Sequence, residues 1–251
     1  QINTVKSERV KNLLRASLIS VLEDVSNYKK AGNGLKKKRD EPKTEFGELF
    51  REKKKQICID IKESKTRTKT KVYLGSCELI QQKVHDSEVD LFLFSPPYAN
   101  CFDYFEVYKI ELWLGGFVSS YEELRKLRKS ALVSNLNADL NKDFQNKIKS
   151  KLFEKNIEAI ESSKLHDPKI PKMIRLYFQE MQDLLKMSYD KLKSSGKMII
   201  VVGNSSYGGQ PLLTDLILAN LAESIGYRIE QIIVARKNET ASQQYKKIGK
   251  K

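Results

Sequence analysis

The 251 residues predict an α/β fold with a mainly parallel sheet, entered through a helical N-terminal region and interrupted by a helical insertion. Two observations lead there. Strand and helix patterns alternate from residue 71 to residue 235, the signature of βα units. Two of the strands, Asp90-Leu91-Phe92-Leu93-Phe94 and the run over 197–202, are nearly continuous apolar stretches, as strands buried on both faces of a parallel sheet are.

Val10, Leu13, Leu14, Leu18, Val21 and Leu22 recur at helical spacing, predicting a helix over 7–25 that stops at Ser26-Asn27. Residues 29–39, KKAGNGLKKKR, follow as a basic loop. Phe46, Leu49, Phe50, Ile57 and Ile61 share one stripe, so 44–64 reads as a second helix. Its end, Ile57, Ile59 and Ile61, also alternates as a strand does, which would make Asp60 an acidic strand end. Val72-Tyr73-Leu74 is a short strand closed by Gly75, followed by a brief helix and then by the 90–94 strand. A helix is expected over 105–114, a turn at Gly115-Gly116, and a polar helical insertion over 118–170. The stripe of that insertion is Phe144, Ile148, Leu152, Phe153, Ile157 and Ile160. A long helix over 173–192 stops at Ser194-Ser195-Gly196, with glycine where a C-terminal cap favours it. The strand 197–202 ends at Gly203-Asn204, and Pro211 opens a helix through residue 225. Ile229, Ile232 and Val234 alternate in a last strand over 227–235. The chain so divides into residues 1–68, helical with a basic loop, and 69–251, the α/β region with its insertion.

Composition narrows the function. The longest unbroken aliphatic run spans five residues, 198–202, far short of a membrane span, and the first nine residues have no signal-peptide character. Three scattered cysteines and two histidines without ligand spacing point to a reduced, cytoplasmic, metal-free protein. Lysine and arginine number 46 against 32 aspartates and glutamates, a net charge of +14 that favours a polyanionic partner. Residues 29–39 hold six basic groups and no acid, and residues 236–251 hold six and one, so these segments dominate the excess. Lys29, Lys30, Asn33, Lys36, Lys37, Lys38, Arg39, Arg236 and Lys237 are the candidates for phosphate contact, against the plainer reading of a solvated loop and tail.

In open α/β sheets ligands bind beyond the carboxyl ends of the strands. There, on the 90–94 strand, stands Ser95-Pro96-Pro97-Tyr98. Two prolines fix φ and remove two backbone donors, which leaves a rigid turn rich in acceptors, and the tyrosine adds a stacking plane. Such a turn suits a flat heterocycle with an exocyclic amine. At these residues the sequence resembles the S-adenosylmethionine-dependent amino-methyltransferases, and the serine form resembles the DNA cytosine-N4 enzymes of restriction-modification systems. LGSCEL at 74–79, LEDVSNYKKAGNGLK at 22–36 and NCFDYFEVYK at 100–109 extend the resemblance over most of 10–240.

The resemblance implies a Rossmann-like methyltransferase sheet and methyl transfer to a base flipped out of double-stranded DNA. It makes Ser95, Pro96, Pro97 and Tyr98 the catalytic turn. Asp103, Tyr104 and Asn204 become base-pocket candidates, and Ser76, Phe94 and Ser95 become cofactor candidates. For Asp103 a helix cap competes with the pocket role, and for Asn204 a plain strand-to-loop turn does. Adenine N6 is the close alternative target. RNA or protein amide methylation, or a non-catalytic nucleic-acid-binding subunit, are further ones. Carbon-5 methylation, which in that family uses a cysteine preceded by proline, has no support, since Ile57, Ser76 and Asn100 precede the three cysteines. The family's Gly-rich cofactor turn after a strand is not found, so the sheet is expected to be incomplete, with that half on a missing segment or a second chain.

Overall fold

The computed structural model describes residues 2–32, 34–40, 44–65, 68–143 and 148–236. Asn33, Phe144, Lys237 and the rest of the tail lie outside the described residues. Two compact units divide the chain: residues 1–72 with 103–128, and residues 73–102 with 129–251. Residues 103–128, which the sequence reading put with the α/β region, therefore group with the N-terminal segment.

In the first unit, α1 (Glu8–Val25) buries Ser17, Val21 and Leu22. The basic segment that follows is a β-hairpin rather than a loop, with β1 (Tyr28–Ala31) antiparallel to β2 (Gly34–Lys37). Two residues connect the strands, and the first of them, Gly32, has φ +58°, as tight hairpin turns require. α2 (Phe46–Glu63) is helical through Ile57, Ile59 and Ile61, which corrects the strand alternative. Its longer apolar stripe outweighs three alternating residues, and Asp60 accepts from Gln56 Nε2 one helical turn earlier, at 2.8 Å.

The second unit begins with a 3-10 turn at Cys77–Leu79 and the short α3 (Ile80–Lys83), leading to β3 (Val89–Phe94). In the first unit again, α4 (Tyr104–Val107) and α5 (Lys109–Leu114) break the expected helix at Tyr108, and α6 (Tyr121–Ser130) follows. Back in the second unit, α7 (Lys151–Glu161) and the 22-residue α8 (Ile170–Lys191) form the core with α9 (Thr214–Ile225). Tyr177 and Phe178 of α8 and Phe153 of α7 make edge-to-face contacts at its centre.

The α/β class is met in β3 and β4 (Leu192–Ile200), which pair in parallel with Phe92 opposite Met198 and Phe94 opposite Ile200. Details differ from the sequence reading. α8 passes directly into β4, so Gly196 lies in a strand instead of capping a helix. A Cβ there would meet the Leu192 side chain and the Val89 carbonyl within 3 Å. Pro211 sits in a second hairpin, β5 (Ser205–Tyr207) with β6 (Gln210–Leu212), and α9 begins after it. Gly208 and Gly209 form that hairpin's turn, both at positive φ.

The strands expected at 72–74 and 227–235 have no ladder partner among the described residues, and Val72 and Leu74 are 88% and 100% exposed. Their patterns suit a strand, but a strand exists only by pairing. The two-stranded sheet correspondingly leaves Leu91, Leu93, Ile199 and Val201 exposed. The insertion is helical in α6 and α7 alone among its described residues. Between them, Asn135 Oδ1 accepts from the Asn137 amide and Asp139 Oδ1 from the Asn141 amide, local bonds that compete with a helix. No helix among the described residues is long and apolar enough to cross a membrane.

Candidate active site

The Ser95-Pro96-Pro97-Tyr98 turn stands where the parallel pair ends. The Val201 amide donates to the Phe94 carbonyl at 3.0 Å, carrying the ladder one residue past β4. The Ser95 hydroxyl then donates to the Val201 carbonyl at 2.9 Å. That bond uses the only hydrogen on Oγ. What the exposed side chain offers solvent is a pair of acceptor lone pairs. Pro96 is buried, Tyr98 is half-buried, and neither proline has an N–H to compete for an acceptor.

The far side of the turn is held as firmly. The Asn100 amide donates to the Tyr98 carbonyl at 2.8 Å, and the Cys101 amide donates to the Ser134 carbonyl at 3.1 Å. Cys101 adopts φ +61°, which non-glycine residues rarely do. The Tyr207 hydroxyl, from β5, donates to the Ala99 carbonyl at 2.8 Å and lies 3.5 Å from Cys101 Sγ. Burial pushes the Cys101 thiol up, against the lowering effect of its hydrogen bond with Tyr207. A thiol so held is a poor nucleophile. Tyr207, Cys101 and Ser134 were missed from sequence. The hairpin carrying Tyr207 had a signal in its Gly208-Gly209 pair, whereas the contacts with 99–101 had none.

The other candidates divide between the units. Asn204 caps α9, its Oδ1 accepting from the Asp215 amide at 3.1 Å. Phe94 ends β3 and packs against the core. Ser76 caps the 3-10 turn, accepting from the Glu78 amide at 3.3 Å. It also lines an open concavity of about 410 Å³ with Tyr73, Gly75, Cys77, Ile80 and Lys83. In the first unit, Asp103 is 3% exposed and caps α4, accepting from the Glu106 amide at 3.1 Å. It also pairs with Arg128 Nε at 3.0 Å. Tyr104 opens the same helix.

The basic hairpin presents its side chains in two ways. Lys30 is turned inward: its ammonium pairs with Glu111 and Glu23 and lies 4.4 Å from the Tyr108 ring centroid. Burial lowers its pKa, but the two carboxylates outweigh that and hold it above the ordinary lysine value. Lys38 Nζ donates to the Glu23 carbonyl at 2.6 Å, at the C-terminal end of α1. Lys29, Lys36, Lys37 and Arg39 are exposed and make no ion pair among the described residues, as is Arg236. Lys29 is directly opposite Lys36 in the hairpin register. Among the described residues no three His, Cys, Asp or Glu side chains gather into a metal site.

Comparison with known proteins bears on this arrangement. The chain is 30% identical over 255 residues to the Type II methyltransferase M.AvaI of Nostoc sp., covering 90% of this chain and 53% of that protein. Over this stretch the chain is similar to a Type II methyltransferase. M.AvaI of Anabaena variabilis aligns with the same figures. M.BsoBI of Geobacillus stearothermophilus, also a Type II methyltransferase, is 25% identical over 299 residues, covering 99% of this chain and 59% of its own length. The chain thus spans little more than half the length of these curated methyltransferases. No family model and no solved structure matches it.

Proposed function

We propose that this chain carries the methyl-acceptor half of an S-adenosylmethionine-dependent DNA amino-methyltransferase of restriction-modification type, acting on cytosine N4. The observation that carries the reading is the Ser95 hydroxyl given to the Val201 carbonyl at the end of the parallel pair. Ser95 Oγ is thereby committed to accepting, and an exocyclic amine is a donor that needs acceptors. With the Pro96 carbonyl it accepts hydrogen bonds from the amine's two N–H groups, which draws the nitrogen lone pair out of conjugation with the ring. Tyr98 stacks on the flipped base. Fixed acceptors of this kind act by positioning and electrostatics, with no covalent intermediate on the protein.

S-adenosylmethionine, when bound, supplies the electrophilic methyl group. The concavity beside Ser76 fits the cofactor's adenine: Tyr73, Gly75 and Ile80 offer ring and apolar contact, and the Ser76 hydroxyl offers a polar one. No carboxylate for the ribose hydroxyls lines it. Phe94 closes the sheet end beside Ser95. The rest of the cofactor site belongs to a segment that pairs with the exposed strand patterns at 72–74 and 227–235, and the apolar exposure of Leu91, Leu93 and Ile199 supports this. Asn204, in the unit that carries the turn, remains a candidate for flanking the base.

Lys29, Lys36, Lys37 and Arg39, with Arg236, grip the phosphates of double-stranded DNA. Two lysines directly opposed on a two-stranded ribbon repel one another, and a polyanion relieves that cost. Asn33 and Lys237, outside the described residues, complete this set.

The test is single-turnover methyl transfer to DNA by the whole protein carrying Ser95→Ala. Removing one acceptor from a nitrogen that gains positive charge costs about 1.5–3 kcal/mol, a rate loss of roughly 10- to 150-fold. The Ser95–Val201 hydrogen bond is exposed, so water replaces the lost hydroxyl and stability stays near wild type. A rate within threefold of wild type rejects the proposed role of the turn.

A further inference from the structure

We propose that Tyr207 is a positioning residue for the Pro-Pro turn, and that the segment leaving β4 is a template that sets the turn at both ends. This rests on the function proposed above and assigns a residue that neither the turn motif nor the likeness to methyltransferases singles out. The entry of the turn is fixed by Ser95 Oγ on the Val201 carbonyl. Its exit is fixed by Tyr207 Oη on the Ala99 carbonyl. Both anchors come from one stretch of seven residues, 201–207, so the spacing of the two ends is set by a single piece of backbone.

The anchor at the exit is buried and over-determined. Ala99 is 0% exposed and Tyr207 5%, so no water replaces the phenol if it is removed. Burial, and then the neighbouring Cys101, push the Tyr207 phenol far above the usual tyrosine range, so it stays protonated and keeps donating. Cys101 is held at φ +61° between the Ser134 carbonyl, Tyr207 Oη and Met173 Sδ, the last at 3.6 Å from its sulfur. Ser134 is itself seated on α8, because the neighbouring Val133 amide donates to Glu180 Oε2 at 2.7 Å.

The hairpin cannot easily move. A Cβ on Gly208 would lie 1.9 Å from Ser163 Oγ, so the turn is packed against the end of α7. A strained backbone residue beside a catalytic turn persists only when its surroundings enforce it, and here the Tyr207 hydroxyl enforces it together with the Ser134 carbonyl. Without it the Ala99 carbonyl turns elsewhere, and Ser95 and Pro96 lose their registration against the amine.

The experiment is Tyr207→Phe in the whole protein, which removes one oxygen and keeps the ring. Single-turnover rates are normalised to active sites and measured well below each variant's Tm, with Ser95→Ala alongside. The expected result is a fall in the methyl-transfer rate of about 10- to 100-fold with the KM for DNA unchanged, the pattern of misplacement. A purely structural role lowers the active fraction and leaves the rate per active site intact, and that result overturns the proposal. A Tyr207→Phe rate within threefold of wild type while Ser95→Ala is slow also overturns it, and leaves the proposed function standing. Wild-type rates in both variants reject the function of the turn itself. Should Tyr207→Phe not fold, Gly208→Ala decides: its Cβ collides with Ser163 and pushes the hairpin, and Tyr207 with it, away from the Ala99 carbonyl. A tenfold or greater loss of rate per active site supports the anchored exit, and a wild-type rate overturns it.

Discussion

Replacing Lys29 and Lys36 together by alanine weakens DNA binding through its salt dependence, whereas replacing Lys30 does not, although all three lie in one basic hairpin. The structure supplies the distinction. Lys29 and Lys36 face each other across the ribbon with no ion-pair partner among the described residues, so both are free to displace counterions from phosphates. The Lys30 ammonium is already neutralised by Glu111 and Glu23 and covered by Tyr108. Each phosphate contact contributes about 0.9 to the slope of log K against log salt on duplex DNA, so losing two lowers the slope by about 1.8. Over a fourfold rise in salt this amounts to roughly a tenfold smaller loss of affinity than the wild type suffers. Lys30→Ala instead leaves Glu111, which is 9% exposed, without its partner, at a cost of about 1–3 kcal/mol in stability. The assay is fluorescence anisotropy with a labelled duplex at four or five salt concentrations, together with thermal unfolding of each variant. Equal slope changes for Lys30→Ala and for either outward lysine refute the division, and an unchanged slope in the double variant refutes the contact.

Two further predictions concern stability. Asp103→Ala removes the α4 cap, worth about 1 kcal/mol, and deprives Arg128 of one partner, so calorimetry is expected to show a loss of about 2–4 kcal/mol. Asp103→Asn keeps the cap and loses less, and equal losses in the two variants show that the cap contributes nothing. At alkaline pH the protein destabilises. The Cys101, Tyr207 and Tyr227 protons are held by burial above the ordinary values of 9.0 for the thiol and 10.0 for the phenols. The unfolded chain releases these protons first, so their contribution is complete below pH 9.0 and is lost as pH rises beyond it. Tm measured from pH 8 to 11 should fall, and Tyr227→Phe should flatten the upper part of the curve. A flat Tm in the wild type contradicts the buried, protonated assignment.

The parts of the fold that the sequence revealed are those whose pattern is local. α1, α2 and α8 announce themselves by apolar residues at helical spacing, and β3 and β4 by continuous apolar runs. The patterns at 72–74 and 227–235 are equally strand-like, but pairing is a property of neighbours, and no described residue pairs with them. The basic segment carries its hairpin signal in Gly32-Asn33, but the runs on either side are short and charged, so neither shows a strand's alternation of apolar and polar residues. Gly196 and Pro211 each suited two roles, cap or strand and helix start or strand, and only the close approach of Val89 and the pairing with Ser206 decide between them. At the site, the rigid turn at residues 95–98 was legible because two prolines after a strand leave few conformations. Tyr207 was not legible: its contact with Ala99 joins residues 108 apart in sequence, and no spacing rule reaches that far.

The central claim is that residues 95–98 hold an exocyclic amine of a DNA base for methylation. It is tested most directly by giving the whole protein S-adenosylmethionine with a labelled methyl group and duplex DNA, then digesting the product to nucleosides and identifying the labelled one. The expected result is label on the N4 nitrogen of cytosine in DNA, strongly reduced by Ser95→Ala. Label on carbon 5 of cytosine, on RNA, or on protein with DNA left unlabelled contradicts it.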